Sequence, residues 1–488
     1  MFFTDQRKVW KVGQVAGLNQ AELSALFSRR LLPTGTPILL DEAMRPVEPM
    51  SSWFRSLALE RKAAKTMRSY AYSVLMLLHF LLARQADLQS ATEGDLREFR
   101  LWRQDEAEEV VDDAAWDRDW AAIESLYVYL VRIGAVARQP WRATPQRSSL
   151  ASRIRPDLRV RHMGLEQYLY LRDVGFGGLA ADAGLDESFR GWRPHRNRAA
   201  CELALMTGMR IQEWSTLLLP ELGLLDGRQP AFADVDLKAC AKFGRPRSVY
   251  VAPDAMELLA PYLLLERPEI VAKAQRSLRR RHRELFVVQC LEADGTRVRG
   301  MLDGLTITRT VKNMKPDLRR VAVLESGDGL EPLALFIGQS GKMLTLWAWD
   351  KIRWRAWDRL QAWAGHWQAP VLPRRCWVYH DLRHTFALRL LVFLTREALN
   401  DAKAQGLPMS TLLDHMSGNP LLVVQRRLGH AHTSTTYRYI RYLKDPMREV
   451  GDAFRAWTAA GGASYVTIAR SLMELEDAGH APPRPLHP

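Results

Sequence analysis

At 488 residues the chain can bury two or three cores of ordinary domain size, which excludes a small disulfide-stapled scaffold. Hydrophobic residues make up 47% and charged residues 25%, the balance of a folded protein and not of a disordered one. Lys and Arg number 69 against 55 Asp and Glu, a formal charge of +14 that favours a polyanionic partner such as nucleic acid over an acidic membrane surface.

Residues 1–50 are mixed and carry the punctuation LLPTGTP, which predicts a short helical extension and a linker. The opening MFFTDQRKVWKVGQ meets charge at once and lacks a signal-peptide core. No apolar run approaches the roughly 18–20 residues that span a bilayer, so no membrane partner is expected. From Ser52 to Val136 apolar residues recur three and four apart, first in KTMRSYAYSVLMLLHFLLARQ. Two further helices follow, DLREFRLWRQDEAEEVV and AAWDRDWAAIESLYVYLVRIGAV, the latter stopping near Gly134 and Pro140. Residues 51–137 thus form a helical domain. The stretch 138–161, RQPWRATPQRSSLASRIRPDLRVR, is rich in Pro, Ser and Arg and reads as an interdomain linker.

A larger mixed domain covers 162–445. NRAACELALMTGMRIQEWSTLLL reads as helix, turn and helix, and RSVYVAP after KFGRP as one arm of a small hairpin. RSLRRRHREL from Arg276 is a basic burst, read as a solvated face or a phosphate contact. The residues 276–329 read as an insertion or extended loop. Helical periodicity returns in the Trp-rich LWAWDKIRWRAWDRLQAWAGHW, taken as a core-facing helix. Residues 446–488 hold a helix-like SYVTIARSLMELEDA and the tail HAPPRPLHP. Cys201, Cys240, Cys290 and Cys376 show no metal or redox spacing and read as buried reduced thiols of a cytosolic protein.

Chemistry concentrates late in the chain. In YHDLRHTFALRLL, His380 and Arg383 stand three apart, so on a helix an imidazole lies beside a guanidinium fork suited to two phosphate oxygens. Downstream, in RRLGHAHTSTTYRYIRYL, Leu428 and Gly429 end a helix in a turn that aims His430 away from its stem. Tyr439 follows nine residues after His430, closing a T-T-x-x-Y run.

H-x-L-R-H-T, then L-G-H, then T-T-x-x-Y resembles the phage integrase, or tyrosine recombinase, family. The resemblance calls for an upstream arginine in T-G-x-R-x-x-E, and TGMRIQEW supplies Arg210 with Glu213. It also calls for a lysine on a hairpin, for which CAKFGRPRSVYV offers Lys242. Six positions then match in order: Arg210, Lys242, His380, Arg383, His430 and Tyr439. Tyr437 and Tyr442 are alternative nucleophiles, and Lys238 an alternative to Lys242. His384 and His432 read as structural or phosphate-adjacent.

The family implies a mainly α fold: a two-domain DNA clamp with a helical core-binding domain and an α-rich catalytic domain holding a small antiparallel sheet. It implies that Tyr439 attacks a phosphodiester to give a 3′-phosphotyrosyl bond, with Arg210 and Arg383 on the non-bridging oxygens. His380 is the implied base, His430 a phosphate hydrogen-bond donor, and Lys242 the acid for the departing 5′ oxygen. No cofactor and no metal are expected. The implied partners are double-stranded DNA at two recombination sites, three further copies in a homo-tetramer, and an accessory DNA-bending protein, in a cytoplasmic, nucleoid-associated setting. A type IB topoisomerase, a telomere resolvase and a catalytically idle DNA-binding protein are the competing readings.

Overall fold

The computed structural model describes residues 1–4, 17, 19, 32–144, 147–148, 150–151, 161–189, 193–225, 230–292, 296–327, 329–404, 420–430, 436 and 439. The chain divides into two compact units, Met1–Leu158 and Arg159–Pro488. Among the described residues no helix is long and apolar enough to cross a membrane.

In the first unit, β1 (Phe2–Phe3) pairs antiparallel with β2 (Pro37–Ile38). The helix expected within the first fifty residues lies outside the described residues. Four helices follow: α1 (Met50–Leu59), α2 (Ala64–Ala83), α3 (Glu93–Leu101, continued by a π-helical segment Trp102–Glu106) and α4 (Asp113–Arg132). The periodic set Met67, Ala71, Val74, Leu77 and Leu81 of α2 is buried, as its spacing dictates. Helix starts are marked by side chains. Thr92 and Asp95 form a reciprocal capping box on α3, and Asp112 accepts from the Ala115 N–H (2.8 Å) on α4.

The segment read as a linker pairs β3 (Ala143–Thr144) antiparallel with β4 (Arg147–Ser148) and is anchored over its first half. Trp141 and Leu150 are buried in the same core as Trp53, Phe99 and Trp116, and Trp116 Nε1 donates to the Leu150 carbonyl at 2.9 Å. Burying one Trp removes about 150–250 Å² from water, on the order of 4–6 kcal/mol at 25 cal/mol per Å². That offsets the ordering of several polar residues at about 1–2 kcal/mol each, so a composition typical of a linker still folds down.

The second unit opens with α5 (Leu165–Tyr170), continued by a π-helical segment Leu171–Phe176, then α6 (Pro194–Thr207) and α7 (Ile211–Trp214). β5 (Ala233–Leu237) and β6 (Arg247–Val251) make an antiparallel hairpin. After α8 (Pro253–Glu257) and α9 (Arg267–Arg280) come β7 (Phe286–Leu291), β8 (Arg297–Leu302), β9 (Leu305–Thr310), α10 (Pro316–Arg319), β10 (Ala322–Ser326) and β11 (Gly329–Pro332). These five strands form one sheet in the order β11-β10-β7-β8-β9. The helices α11 (Leu346–Ala362), α12 (Tyr379–Ala404) and α13 (Pro420–Leu428) complete the described elements.

The fold is mainly α with small sheets, as the family resemblance implies, with two corrections. The larger sheet is mixed, because β7 and β10 run parallel. The 276–329 stretch is not an extended loop: Phe286, Val288, Val298, Val311 and Ala322 enter the main core beside Trp214 and Trp349. Val287, Val323 and Leu330 meet Ala274 and Leu278 of α9, so the sheet is covered on both faces near β7. Only β8 alternates over most of its length, with exposed Arg297 and Arg299 around buried Val298, whereas β7 buries Phe286, Val287 and Val288 in a run, so the period-two signal is missing there. The thiols also differ from expectation: Cys201 and Cys240 are buried, but Cys290 is exposed on β7, across from Arg299. On α11 Trp349 and Trp357 are buried, whereas Trp347 and Trp354 are exposed under Lys351 and Arg353, so only one side of that helix is core.

Candidate active site

The site is assembled from helix ends. α6 stops at Gly208 in a left-handed conformation (φ 61°), and its absent Cβ would fall 2.3 Å from the Phe386 ring. The chain then turns so that Arg210 precedes α7 and Glu213 lies within it. Glu213 is buried and accepts from the Arg210 N–H (2.7 Å) and from Arg210 Nη1 (3.1 Å). Arg247, at the start of β6, grips the same carboxylate with Nη1 at 2.9 Å and Nη2 at 2.6 Å. Burial alone would raise the Glu213 pKa, but the two guanidiniums prevail and hold it below the usual carboxylate range.

His380, Arg383 and His384 lie on one face of α12, one turn apart, and Ala387, Leu388 and Leu391 continue that face into a core with Val424, Leu428 and Tyr439. Arg383 is 1% exposed. It donates from Nη1 to the Gly208 carbonyl (2.6 Å) and from Nη2 to the Leu428 carbonyl (2.5 Å), so one guanidinium caps the C-terminal ends of both α6 and α13. Burial, with Arg210 and Arg247 nearby, pulls its pKa down to about 9, still a cation at neutral pH. α13 ends at Leu428 with Gly429 left-handed (φ 63°), and a Cβ there would press on Arg247 at 2.8 Å. This is the turn the sequence predicts, and it presents His430.

Around Tyr439, which is 2% exposed, stand three imidazoles. His384 Nδ1 lies 2.9 Å from the tyrosine hydroxyl. The His430 ring lies parallel to the Tyr439 ring with centroids 6.2 Å apart, its Nδ1 engaged with Thr436 Oγ1 at 3.1 Å. His380 meets His384 edge-on at 4.5 Å and is itself exposed at the mouth of the group. Burial raises the Tyr439 pKa, against the pull of Arg383 and Arg210. Burial, with His380 and Arg383 beside it, holds His384 down to about 3, and burial with Arg383 and Arg210 does the same for His430. His380 is held down to about 4 by crowding protein atoms and by Arg383, Arg210 and Lys242. Its access to water weakens that effect, so it charges first of the three as pH falls.

All six residues singled out in the sequence come together here. Lys242, exposed in the β5–β6 hairpin loop, is the outermost, within electrostatic reach of His380. Tyr437, Tyr442 and His432 lie outside the described residues. The sequence reading missed two members. Arg247 was only one of several basic residues after K-F-G, and nothing in the pattern marked it as the partner of Glu213. His384 was read as structural or phosphate-adjacent and not as a partner of the tyrosine, although its i+4 spacing from His380 was the available signal. Chemically the group places three guanidiniums against one carboxylate around a tyrosine, an arrangement that suits a phosphate. Among the described residues no cluster of His, Cys, Asp and Glu could hold a metal.

A family model described as the phage integrase N-terminal SAM-like domain matches residues 50–134, spanning α1 to α4. That segment is similar to a phage-integrase domain. With the six-position pattern of the second unit, the match supports the tyrosine recombinase family and, in general terms, site-specific recombination. No curated protein sequence matches the chain. Among solved structures, the XerH site-specific recombinase bound to palindromic difH substrate, a post-cleavage complex, is 16% identical with a TM-score of 0.46, over 83% of this chain and 84% of that one. The Tn1549 transposon integrase (residues 82–397) in complex with circular intermediate DNA is 14% identical with a TM-score of 0.38, over 80% and 90%. The XerA recombinase is 14% identical with a TM-score of 0.28, over 82% and 99%.

Away from this site, α9 and the turn after it expose Arg276, Arg279, Arg280 and Arg283, spaced three and four apart along one face. None of the four has an ion pair among the described residues.

Proposed function

We propose that this chain is a tyrosine site-specific recombinase that integrates or excises mobile DNA, cutting and rejoining strands through a 3′-phosphotyrosyl bond to Tyr439. The observation that carries the reading is the convergence of Tyr439 with Arg210, Arg383 and His430 in a buried group whose guanidiniums outnumber its carboxylates. A phosphodiester resists attack because its charge repels nucleophiles and its alkoxide is a poor leaving group. Arg210 and Arg383 would neutralise the non-bridging oxygens and follow the growing charge, an effect of about a hundred- to a thousand-fold per donor. His430 would add a hydrogen bond, and Lys242 would protonate the departing 5′ oxygen from a loop able to approach the DNA. The phosphotyrosyl bond conserves the energy of the broken one, so religation needs neither ATP nor a metal.

The α1–α4 domain and the arginine face of α9 would hold the duplex through its phosphates. The working assembly is a homo-tetramer on two DNA sites in the cytoplasm, with an accessory DNA-bending protein where the sites require one. The test incubates the full chain with nicked suicide duplexes drawn from sequence flanking its gene, with EDTA present, and resolves covalent adducts by denaturing gel. An adduct that disappears with Tyr439→Phe and persists with Tyr437→Phe is expected. Binding without any adduct refutes the strand-transfer reading in favour of an idle DNA-binding protein.

A further inference from the structure

The Tyr439 hydroxyl has one side-chain hydrogen-bond partner among the described residues, and it is His384, not His380. His430, the other imidazole against the tyrosine ring, is turned parallel to it and spends its Nδ1 on Thr436. His380 reaches this group through its edge contact with His384 and opens to solvent on its other side. The three groups therefore form a row running from the buried hydroxyl to the surface: Tyr439, His384, His380.

We propose that His384 is the group that orients the Tyr439 hydroxyl and takes its proton when the strand is cut. The inference rests on the strand-transfer reading and assigns to His384 the role the family resemblance gives His380. The step balances as follows: a bond forms between the tyrosine oxygen and the scissile phosphorus while the bond from phosphorus to the 5′ oxygen breaks. The tyrosine proton passes to His384 Nδ1, and the departing oxygen takes a proton from Lys242. Religation runs the same transfers backward.

Three physical points favour His384. With its proton on Nε2, its Nδ1 lone pair meets the tyrosine O–H at an ordinary hydrogen-bond length, whereas any other base would first have to displace that contact. Its position on α12 is rigid, one turn from His380 and beside Arg383, which is tied to two helix ends. The groups facing it are His380 and Arg383 on α12, His430 after α13, and Arg161 ahead of α5. Together with burial they keep His384 neutral in the protein by itself, which leaves Nδ1 free to accept. A phosphodiester between the arginines cancels much of that cationic field, so the imidazole becomes more basic at the moment a proton must be received.

The test compares the parent protein with His384→Asn and His384→Ala on nicked suicide duplexes, reading adduct formation against pH and DNA affinity in parallel. Asn sets an amide oxygen where Nδ1 stands, so it accepts a hydrogen bond but cannot take a proton, and it separates orientation from proton transfer. Unchanged DNA affinity shows that a variant is folded. The expected result is a rate lowered about a hundred- to ten-thousand-fold in both variants. The acid limb of the parent's pH profile should be missing from His384→Asn. Cleavage by His384→Asn at the parental rate overturns the inference and leaves strand transfer intact. A parent protein that binds DNA yet forms no adduct overturns strand transfer, and this inference with it.

Discussion

Glu213→Gln removes one charge and almost no volume from the middle of the second unit. The carboxylate accepts from the Arg210 backbone N–H at 2.7 Å, from Arg210 Nη1 at 3.1 Å and from the Arg247 fork at 2.9 and 2.6 Å, and it is 1% exposed. In the amide one of those oxygens becomes an NH₂ facing an arginine donor, and Arg210, Arg247 and Arg383 lose the one carboxylate that lies among them in the described residues. Breaking a buried ion pair from one side costs about 3–5 kcal/mol. The Arg210 side chain keeps 22% exposure and is partly screened, so we place the loss near the lower end, about 3 kcal/mol. Against a domain stability of about 5–15 kcal/mol that is a large fraction. Urea unfolding of the full chain, with hydrogen exchange at residues 211–216 to assign the transition to the second unit, measures it. The parent should also lose the Glu213 contribution as pH falls below about 4.3 through its depressed pKa, and the amide variant should lack that limb. A destabilisation under about 1 kcal/mol would refute the claim that this carboxylate holds the arginines together.

Two further outcomes follow from the same geometry. Gly208→Ala puts a side chain into a left-handed conformation and 2.3 Å from Phe386, costing about 1–2 kcal/mol for the backbone and about 1–3 for the overpacking. It also displaces the carbonyl that holds Arg383, so thermal unfolding should come earlier and DNA affinity should fall together with it. For the histidines, the folded pKa values of about 4 at His380 and about 3 at His384 and His430 lie below the unfolded value of about 6.5. Their neutral forms are favoured in the fold, so stability is full above about pH 6.5 and is lost as pH falls toward 4 and 3. A bound phosphate raises these pKa values, and calorimetry between pH 5.5 and 7 in buffers of different ionisation enthalpy should detect proton uptake on DNA binding. Binding with no proton exchange would contradict the histidine environment described here.

How much of this was legible in the sequence depends on the range of the interaction concerned. The helices of the first unit were legible because their periodic apolar faces and side-chain caps are local signals, as in α2 and at Thr92. The turn at Gly429 was legible for the same reason: a glycine after Leu428 stops a helix whatever surrounds it. The β7–β11 sheet was not, since Val287 and Phe286 serve two different cores and only tertiary pairing reveals which strands neighbour them. Trp141 and Leu150 were lost inside a polar stretch because composition averages over the few residues that anchor it. The pairing of Arg247 with Glu213, 34 positions apart, is a contact that no spacing rule encodes.

That last contact bears on why the site is arranged as it is. A cluster of arginines is costly to fold, because each guanidinium must be desolvated beside others of its own charge. The chain meets the cost unevenly. Glu213 pairs directly with Arg210 and Arg247, while among the described residues Arg383 hydrogen-bonds no carboxylate and is held by two backbone carbonyls at helix C-termini, whose partial negative charge is smaller than a full counter-ion. A second carboxylate in place of those carbonyls would stabilise the protein more and would also compete with the phosphate for the same donors. Leaving Arg383 undercompensated stores part of the folding free energy as affinity for an anion. It also explains why the neighbouring imidazoles are kept neutral: any proton added to them before an anion arrives would enlarge an excess of positive charge that the fold has left open.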